Sequence, residues 1–321
     1  MTSPEVAPPA YDITIAIPTY NGAERLPKLL EHLRIQTQAE PIRWEILVVD
    51  NNSQDHTAAV VQDYARQWLP NVPLRYAFEP RQGAAFARQT AVQSAASELI
   101  GFLDDDNLPA NNWVAEAVDF SRRYPQAGAF GGRIDGNYEV PPPEGFERIK
   151  NFLAIRNHGS EVMAFEPDKL QLPPAASLVI RRQAWLDSVP SEPTLGGKVA
   201  GLFVQGDDYE PLLYLHKHQW QILYDPALQT VHQIPPQRFE RSYLLMLAKG
   251  CGLATCQLSL MTANPWRKPV IVMRTCLGSL KRLGLHILKH RGRSHADLAT
   301  ACEFEFHLGS LLSPLYVRRW S

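Results

Sequence analysis

The stretch that decides the fold is ITIAIPTYNGAERLPKLLEHLRIQTQAEPIRWEILVVD, residues 13–50. It opens on a β-branched apolar run, Ile13 to Ile17, broken by the turn residues Pro18-Thr-Tyr-Asn-Gly22. Leu26, Leu29, Leu30 and Leu33 follow at helical spacing, and a second apolar run, Ile46 to Val49, closes it. Runs of four or five apolar residues bounded by turn signals read as buried strands, and the i, i+3, i+4, i+7 leucines read as one helix face. The same alternation continues. Val60, Val61, Tyr64 and Trp68 predict a helix, and Leu74 to Phe78 a strand. A helix is predicted over 84–96, a strand over 99–103 and a helix over 113–124. That pattern predicts an α/β fold, a Rossmann-like, mostly parallel sheet flanked by helices. Beyond Gly136 the regularity fades. Pro141 to Pro143 and Pro173-Pro174 mark loops, with strands expected at 177–180 and 221–224 and a helix starting near Asp207.

The chain has 321 residues with 32 Lys+Arg against 33 Asp+Glu. The balance hides an asymmetry: residues 235–321 carry 13 Lys+Arg and 4 Asp+Glu, so an acidic body precedes a basic tail. We expect residues 1–10 to be a disordered lead without the n- and h-regions of a secretory signal. Residues 11–235 are expected to form the main domain, with a ligand-binding half over 11–136 and a second half over 137–235. Residues 236–321 are expected to form a basic helical C-terminal region. Cys251, Cys256, Cys276 and Cys302 form no CxxC pair and read as buried thiols of a reducing compartment. The longest stretch without formal charge, Gly250 to Trp266, is short and polar, so no membrane-spanning helix is expected.

Open parallel sheets bind ligands beyond the carboxyl ends of their strands. Pro18-Thr-Tyr-Asn21, Asp50-Asn-Asn-Ser53 and Asp104-Asp-Asp-Asn107 all fall at such ends, on one edge of the predicted sheet. Carboxylates converging there are the hard oxygen donors that Mg²⁺ or Mn²⁺ takes. Gly83 opens a helix whose free amides face anions, and Arg88 stands one turn in, within reach of a diphosphate. No GxGxxG follows the first strand and no GxxxxGK[ST] occurs, which argues against a dinucleotide-binding fold and a P-loop ATPase. Trp113, Trp185 and Trp220 are read as core before sugar-stacking platforms, and His158, His216 and His218 as structural or solvated.

The segments ITIAIPTYNGAERLPKLL, EILVVDNNSQDHT, PRQGAAFARQ, IGFLDDDN and GDDYEPLLYLHKHQWQILYDP, in that order, resemble the family 2 glycosyltransferases of GT-A fold over roughly residues 11–232. Within the family, the nearest likeness is to bacterial enzymes of exopolysaccharide assembly, in particular the hormogonium polysaccharide type of cyanobacteria. The resemblance implies an inverting, metal-dependent transfer of a sugar from a nucleotide-sugar, a UDP-sugar by preference, to a hydroxyl of a glycan or lipid-linked acceptor. It implies that Pro18, Tyr20 and Asn21 form the nucleotide-binding turn, that Asp50 reads the nucleobase and that Arg88 is a donor-side cation. Asp104 and Asp106 match the DxD motif, with Asp104 also facing the donor. Asp106 and His232 join Asp104 at the Mn²⁺ or Mg²⁺, Asp105 takes no role, and Asp208 is the general base with Glu210 in reserve. The QxxRW motif of processive members is missing, which implies one sugar per cycle. The competing readings are a sugar nucleotidyltransferase, which would carry a basic glycine-rich loop where PTYNGAERL stands, and a non-catalytic nucleotide- or glycan-binding member.

If residues 270–289 form one helix, Met273, Cys276, Leu277, Leu280, Leu283 and Ile287 share a face opposite Arg274, Lys281, Arg282 and Lys289. Two readings stand: the apolar face packs on the domain, or the helix lies on an anionic membrane surface. No nucleic-acid motif is present. The implied location is cytoplasmic, with peripheral contact on the inner face of the plasma membrane under the second reading.

Overall fold

The computed structural model describes residues 10–196, 204–293 and 297–317. In chain order it runs β1 (Tyr11–Thr19), α1 (Leu26–Arg34), β2 (Trp44–Asp50), α2 (Thr57–Arg66), β3 (Leu74–Phe78), α3 (Ala84–Ser94), β4 (Ser97–Phe102), β5 (Asn107–Pro109), α4 (Trp113–Arg123) and β6 (Ala127–Tyr138). Then follow β7 (Met163–Ala164), β8 (Leu178–Arg181), α5 (Arg182–Ser188), α6 (Tyr209–Lys217), β9 (Gln221–Ile234), α7 (Arg241–Met261), α8 (Lys268–Lys289) and α9 (Leu298–Leu312), with short 3₁₀ turns between. One sheet has the order β3-β2-β1-β4-β8-β6-β9-β5, with β7 paired to β9.

The four strands expected from the first hundred residues form its parallel half, in register from Ile13 opposite Trp44 to Thr19 opposite Asp50. Side chains alternate between the two faces of that half. Ile13, Ile15, Ile17, Ile46, Val48 and Leu99 pack with Leu26, Leu29, Leu30 and Leu33 of α1 and with Trp113. Ala16, Leu47, Val49, Ile100 and Phe102 pack on the other face with Ala87, Ala91 and Trp185. The four α1 leucines are fully buried, each worth roughly 1.5–3 kcal/mol over exposure.

The second half is mixed. β8 runs antiparallel to both β4 and β6, and β6 pairs parallel with β9 along most of its length. Neither long strand was expected in full: β6 was not foreseen, and only the first four residues of β9 were. A register shift at Gly132/Arg133 breaks their pairing, and Gly128, Gly131 and Gly132 dilute the apolar alternation.

The basic tail is helical, as expected. Ile134, Phe146, Leu153 and Ile234 of the body share a core cluster with Leu244, Leu247, Ala299 and Cys302 of α7 and α9. α7 and α9 meet through a glycine pair. A Cβ on Gly252 would stand 2.3 Å from the Phe306 carbonyl oxygen, and one on Gly309 would stand 2.4 Å from that of Lys249.

α7 is long and apolar enough to cross a membrane by length and composition alone, because the helix starts at Arg241 and takes in Leu244 to Leu247. Just over half of that apolar stretch is buried inside the protein. No disulfide links the four cysteines; Cys256 and Cys302 are buried, whereas Cys251 and Cys276 are partly exposed.

Candidate active site

The carboxyl ends of β1, β2 and β4 open into a cleft of about 820 Å³, within the range of small-molecule sites. Pro18, Tyr20, Arg88, Asp104, Asp106, Asp208 and His232 all line it, drawn from five separate stretches of the chain. The tail closes one side of the cleft with Arg238, Tyr243, Arg282 and Phe306.

The three adjacent carboxylates have three different environments. Asp105 is buried and structural. It accepts from the Thr19 hydroxyl at 2.5 Å and from Arg25 Nε and Nη2 at 2.7 and 3.0 Å, which ties the turn after β1 to the end of β4. Asp106 stands beside His232, because β5 pairs Asn107 directly with His232 on β9. Burial pushes Asp106 up, but His232 and then Arg238 outweigh it and hold the carboxyl down at about 2. His232 Nδ1 is engaged by the Leu153 carbonyl at 2.9 Å. Its Nε2 therefore turns toward the cleft, 3.4 Å from Asp106 Oδ2. Asp104 is pushed above the usual carboxylate range by burial, with Arg88 opposing and its two neighbours adding repulsion.

Arg88 is buried and donates to Asp207 Oδ2 at 2.8 Å, with Asp104 and Asp208 close enough to hold its charge in place. Asp208 sits at the N-terminal edge of α6. Burial, and then the Asp207 charge, push its carboxyl up to about 6. Gly83 has φ +137° at the mouth of α3, and a Cβ there would stand 2.2 Å from the Gly196 carbonyl oxygen, so only glycine fits this entrance.

Two predicted residues do not reach the cleft. Asp50 is 3% exposed, and its two oxygens accept from the Ser53 amide and the Tyr76 hydroxyl, both at 2.9 Å. Asn21, at φ +49°, accepts from the Gln54 amide at 2.8 Å and donates its own amide to Ser53. Both brace the turn that carries Tyr20. Asn51 lines the cleft where Asp50 was expected, with its side chain accepting from the Gly83 amide at 2.7 Å.

Glu210, the reserve base, is 3% exposed and accepts the backbone amides of Thr194 and Leu195 at 2.8 and 2.7 Å, so it is spent on a loop. Trp113 and Trp185 are core, and Trp220 packs against the second core cluster. His158 stands edge-on to Phe165 and Tyr224, and His216 lies 3.6 Å from Asp168.

Arg25 and Arg238 were missed as site residues. Arg238 Nη2 lies 3.4 Å from Asp106 Oδ2, and the guanidinium rests over the Tyr243 ring. The sequence held a hint in the basic cluster just after β9, but no spacing pointed it at Asp106.

Asp104, Asp106 and His232 suit a divalent cation. Their donors are oxygens and one imidazole nitrogen, and the 3.4 Å between Asp106 and His232 exceeds a charge-assisted hydrogen bond of about 2.8 Å. It approaches the separation of two ligands that share an ion at about 2.1 Å.

A mixed α/β sheet, parallel in its first half, with an acidic edge opening into one cleft is the architecture of a GT-A fold. A sequence model described as "Glycosyl transferase family 2" matches residues 14–184, and the chain belongs to that family. Among curated relatives, glycosyltransferase AglE of Haloferax volcanii is 30% identical over 145 residues, 45% of each chain. UDP-Glc:alpha-D-GlcNAc-diphosphoundecaprenol beta-1,3-glucosyltransferase WfgD of Escherichia coli is 31% identical over 109 residues, 34% of this chain and 39% of that one. The chain thus spans less than half the length of these relatives.

In fold it is similar to the mannosyltransferase PcManGT of Pyrobaculum calidifontis, solved with GDP-Man and Mn²⁺. The TM-score is 0.58 at 20% identity, over 98% of this chain and 91% of that one. It is also similar to GalNAc-T7 solved with UDP, GalNAc and Mn²⁺, with TM-score 0.52 at 16% identity, over 82% and 54% of the two chains.

Proposed function

We propose that this protein is an inverting, metal-dependent glycosyltransferase. It would move one sugar per cycle from a nucleotide-sugar, a UDP-sugar by preference, to a hydroxyl of a glycan or lipid-linked acceptor in exopolysaccharide assembly of the hormogonium type. The observation that carries the reading is Asp208, a carboxyl raised to about 6 in the same cleft as Asp104, Asp106 and His232.

Asp104, Asp106 and His232 would hold Mn²⁺ or Mg²⁺, which when bound supplies positive charge to the diphosphate of the donor. Arg88 and Arg238 hold fixed positive charge in the same cleft, where the leaving diphosphate would gain negative charge. Tyr20, Pro18 and Asn51 shape the nucleotide side, with Asn21 and Asp50 keeping that turn in place. The acceptor oxygen bonds to the anomeric carbon as the bond from that carbon to the diphosphate oxygen breaks. Asp208 takes the hydroxyl proton, and the nucleoside diphosphate leaves. A single displacement inverts the anomeric centre.

A thermal-shift series with UDP, GDP, CDP and dTDP, each with Mn²⁺, Mg²⁺ or EDTA, tests the donor site, since a ligand of the native state raises Tm by mass action. Stabilisation by UDP that needs the metal and vanishes in Asp106→Ala is the expected result. A response to GDP alone would change the donor, and no response to any nucleotide would overturn the reading.

The same proposal places the protein at the inner membrane face. Met273, Leu277 and Leu280 of α8 are 56%, 60% and 57% exposed, among the exposed cations Arg274, Lys281 and Lys289. An apolar stripe rimmed with positive charge matches an anionic bilayer. The triple variant Met273→Asp, Leu277→Asp, Leu280→Asp should lose flotation with phosphatidylglycerol vesicles, and undiminished flotation would remove the membrane from the proposal.

A further inference from the structure

α8 turns its most apolar residues outward and gives α9 a polar face: Ser279 and His286 are its buried side chains. Opposite them on α9 stand Glu303 and His307, one turn apart, while His286 and His290 are one turn apart on α8. One ligand atom from each of His286, His290 and Glu303 lies within 4.8 Å of the others. His286 Nδ1 is 3.9 Å from Glu303 Oε2, and its ring centroid is 4.6 Å from that of His290 and 5.7 Å from that of His307.

The imidazoles are poorly satisfied. His286 Nε2, His290 Nε2 and His307 Nδ1 are all buried with no hydrogen-bond partner among the described residues. Three orphaned imidazole nitrogens on residues of α8, its C-terminal edge and α9 need a reason, because buried polar atoms in native proteins are otherwise paired. Arg148 holds both oxygens of the Glu303 carboxylate, Nε 3.0 Å from Oε1 and Nη2 on Oε2, and so fixes its orientation, as outer partners of metal ligands do.

We propose that His286, His290 and Glu303 form a second cation site, selective for Zn²⁺ or a similar first-row ion, that pins α8 to α9, with the His307 ring beside it. Two imidazoles and one carboxylate, with a fourth position left for water, are a zinc-type donor set, with bonds of about 2.0–2.2 Å. Two donors on such an ion stand about 3.4 Å apart, so small rotations of the side chains close the cluster. The aspartates of the cleft prefer harder ions, which separates the two sites chemically. The pinned elements carry part of the cleft wall: Arg282 lies one turn before His286, and Phe306 lies beside His307. The ion would thus hold that wall in shape without touching the reacting atoms.

The test uses untagged, full-length Asp106→Asn protein, in which the cleft site is disabled, so its outcome does not depend on the proposed transfer. The protein is stripped with chelator, titrated with Zn²⁺ against a chromophoric competitor in excess Mg²⁺, and examined with Co²⁺ by visible absorption. The site predicts one tightly held Zn²⁺, intense d–d bands of four-coordinate Co²⁺, and a Tm that rises with Zn²⁺. His286→Asn should weaken Zn²⁺ binding by ~10-fold or more. His290→Gln, at the half-exposed edge where folding is not at risk, should do the same. Absence of the Zn²⁺ equivalent, its displacement by Mg²⁺, or its retention in both histidine variants would each overturn the proposal.

Discussion

At the residue scale, burial beside like charge gives Asp208 its chemistry and its cost. A carboxyl raised to about 6 is the right base for a hydroxyl but must be ionised to act, so the rate should climb as pH rises through about 6. The stability sign is opposite. The folded pKa lies above the ordinary value of 3.8, so the stabilisation is complete below that value and is lost as pH rises through about 6. Asp208→Asn should therefore lower turnover by ~10²–10⁴-fold while raising Tm at pH 7 to 8. An unchanged rate would move the base elsewhere, and an unchanged Tm would mean that the charge is already compensated. Arg25→Ala makes the complementary case. It leaves Asp105 buried with only Thr19, and should cost ~1–3 kcal/mol in urea unfolding. The types and order of the site residues were legible at this scale, because polar clusters follow apolar strands. The bracing role of Asp105, left without a role in the sequence reading, was not, because Arg25 reaches it across eighty residues. The direction of Asp50 was likewise decided by Tyr76, a residue of another strand.

At the element scale, the helices and strands of the first hundred residues follow their own periodicity, and β6 and β9 do not. Glycines and a register shift hide those two strands, and their partners across the sheet hold them in place. The α7–α9 contact is also tertiary. Gly252→Val would drive a side chain into the Phe306 carbonyl, and overpacking of this kind costs ~1–3 kcal/mol. Chemical denaturation should show that loss, with greater amide exchange in α9 than in α1. Equal protection of the two helices would show that α9 does not depend on this contact.

At the scale of the whole molecule, the acidic body carries the cleft and the basic tail carries both its outer wall and the exposed stripe of α8. Charge attraction to an anionic surface is worth about 1 kcal/mol per Lys or Arg near it and fades within a Debye length. Vesicle binding should therefore weaken steeply between 50 mM and 500 mM salt (on the order of the Debye-length change), while metal-dependent UDP stabilisation changes little. Salt-independent flotation would assign the contact to apolar burial alone. By itself the sequence determined the parallel half of the sheet, the edge where the cleft opens and the basic helical tail, since these rest on local periodicity and charge. Only the tertiary structure decided that Asp105 is a brace, that Arg238 joins the cleft, that α8 faces its apolar side outward and that His286, His290 and Glu303 meet between α8 and α9. Those are meetings of residues distant in the chain, fixed by the packing of one element against another and invisible to any pattern within a single segment.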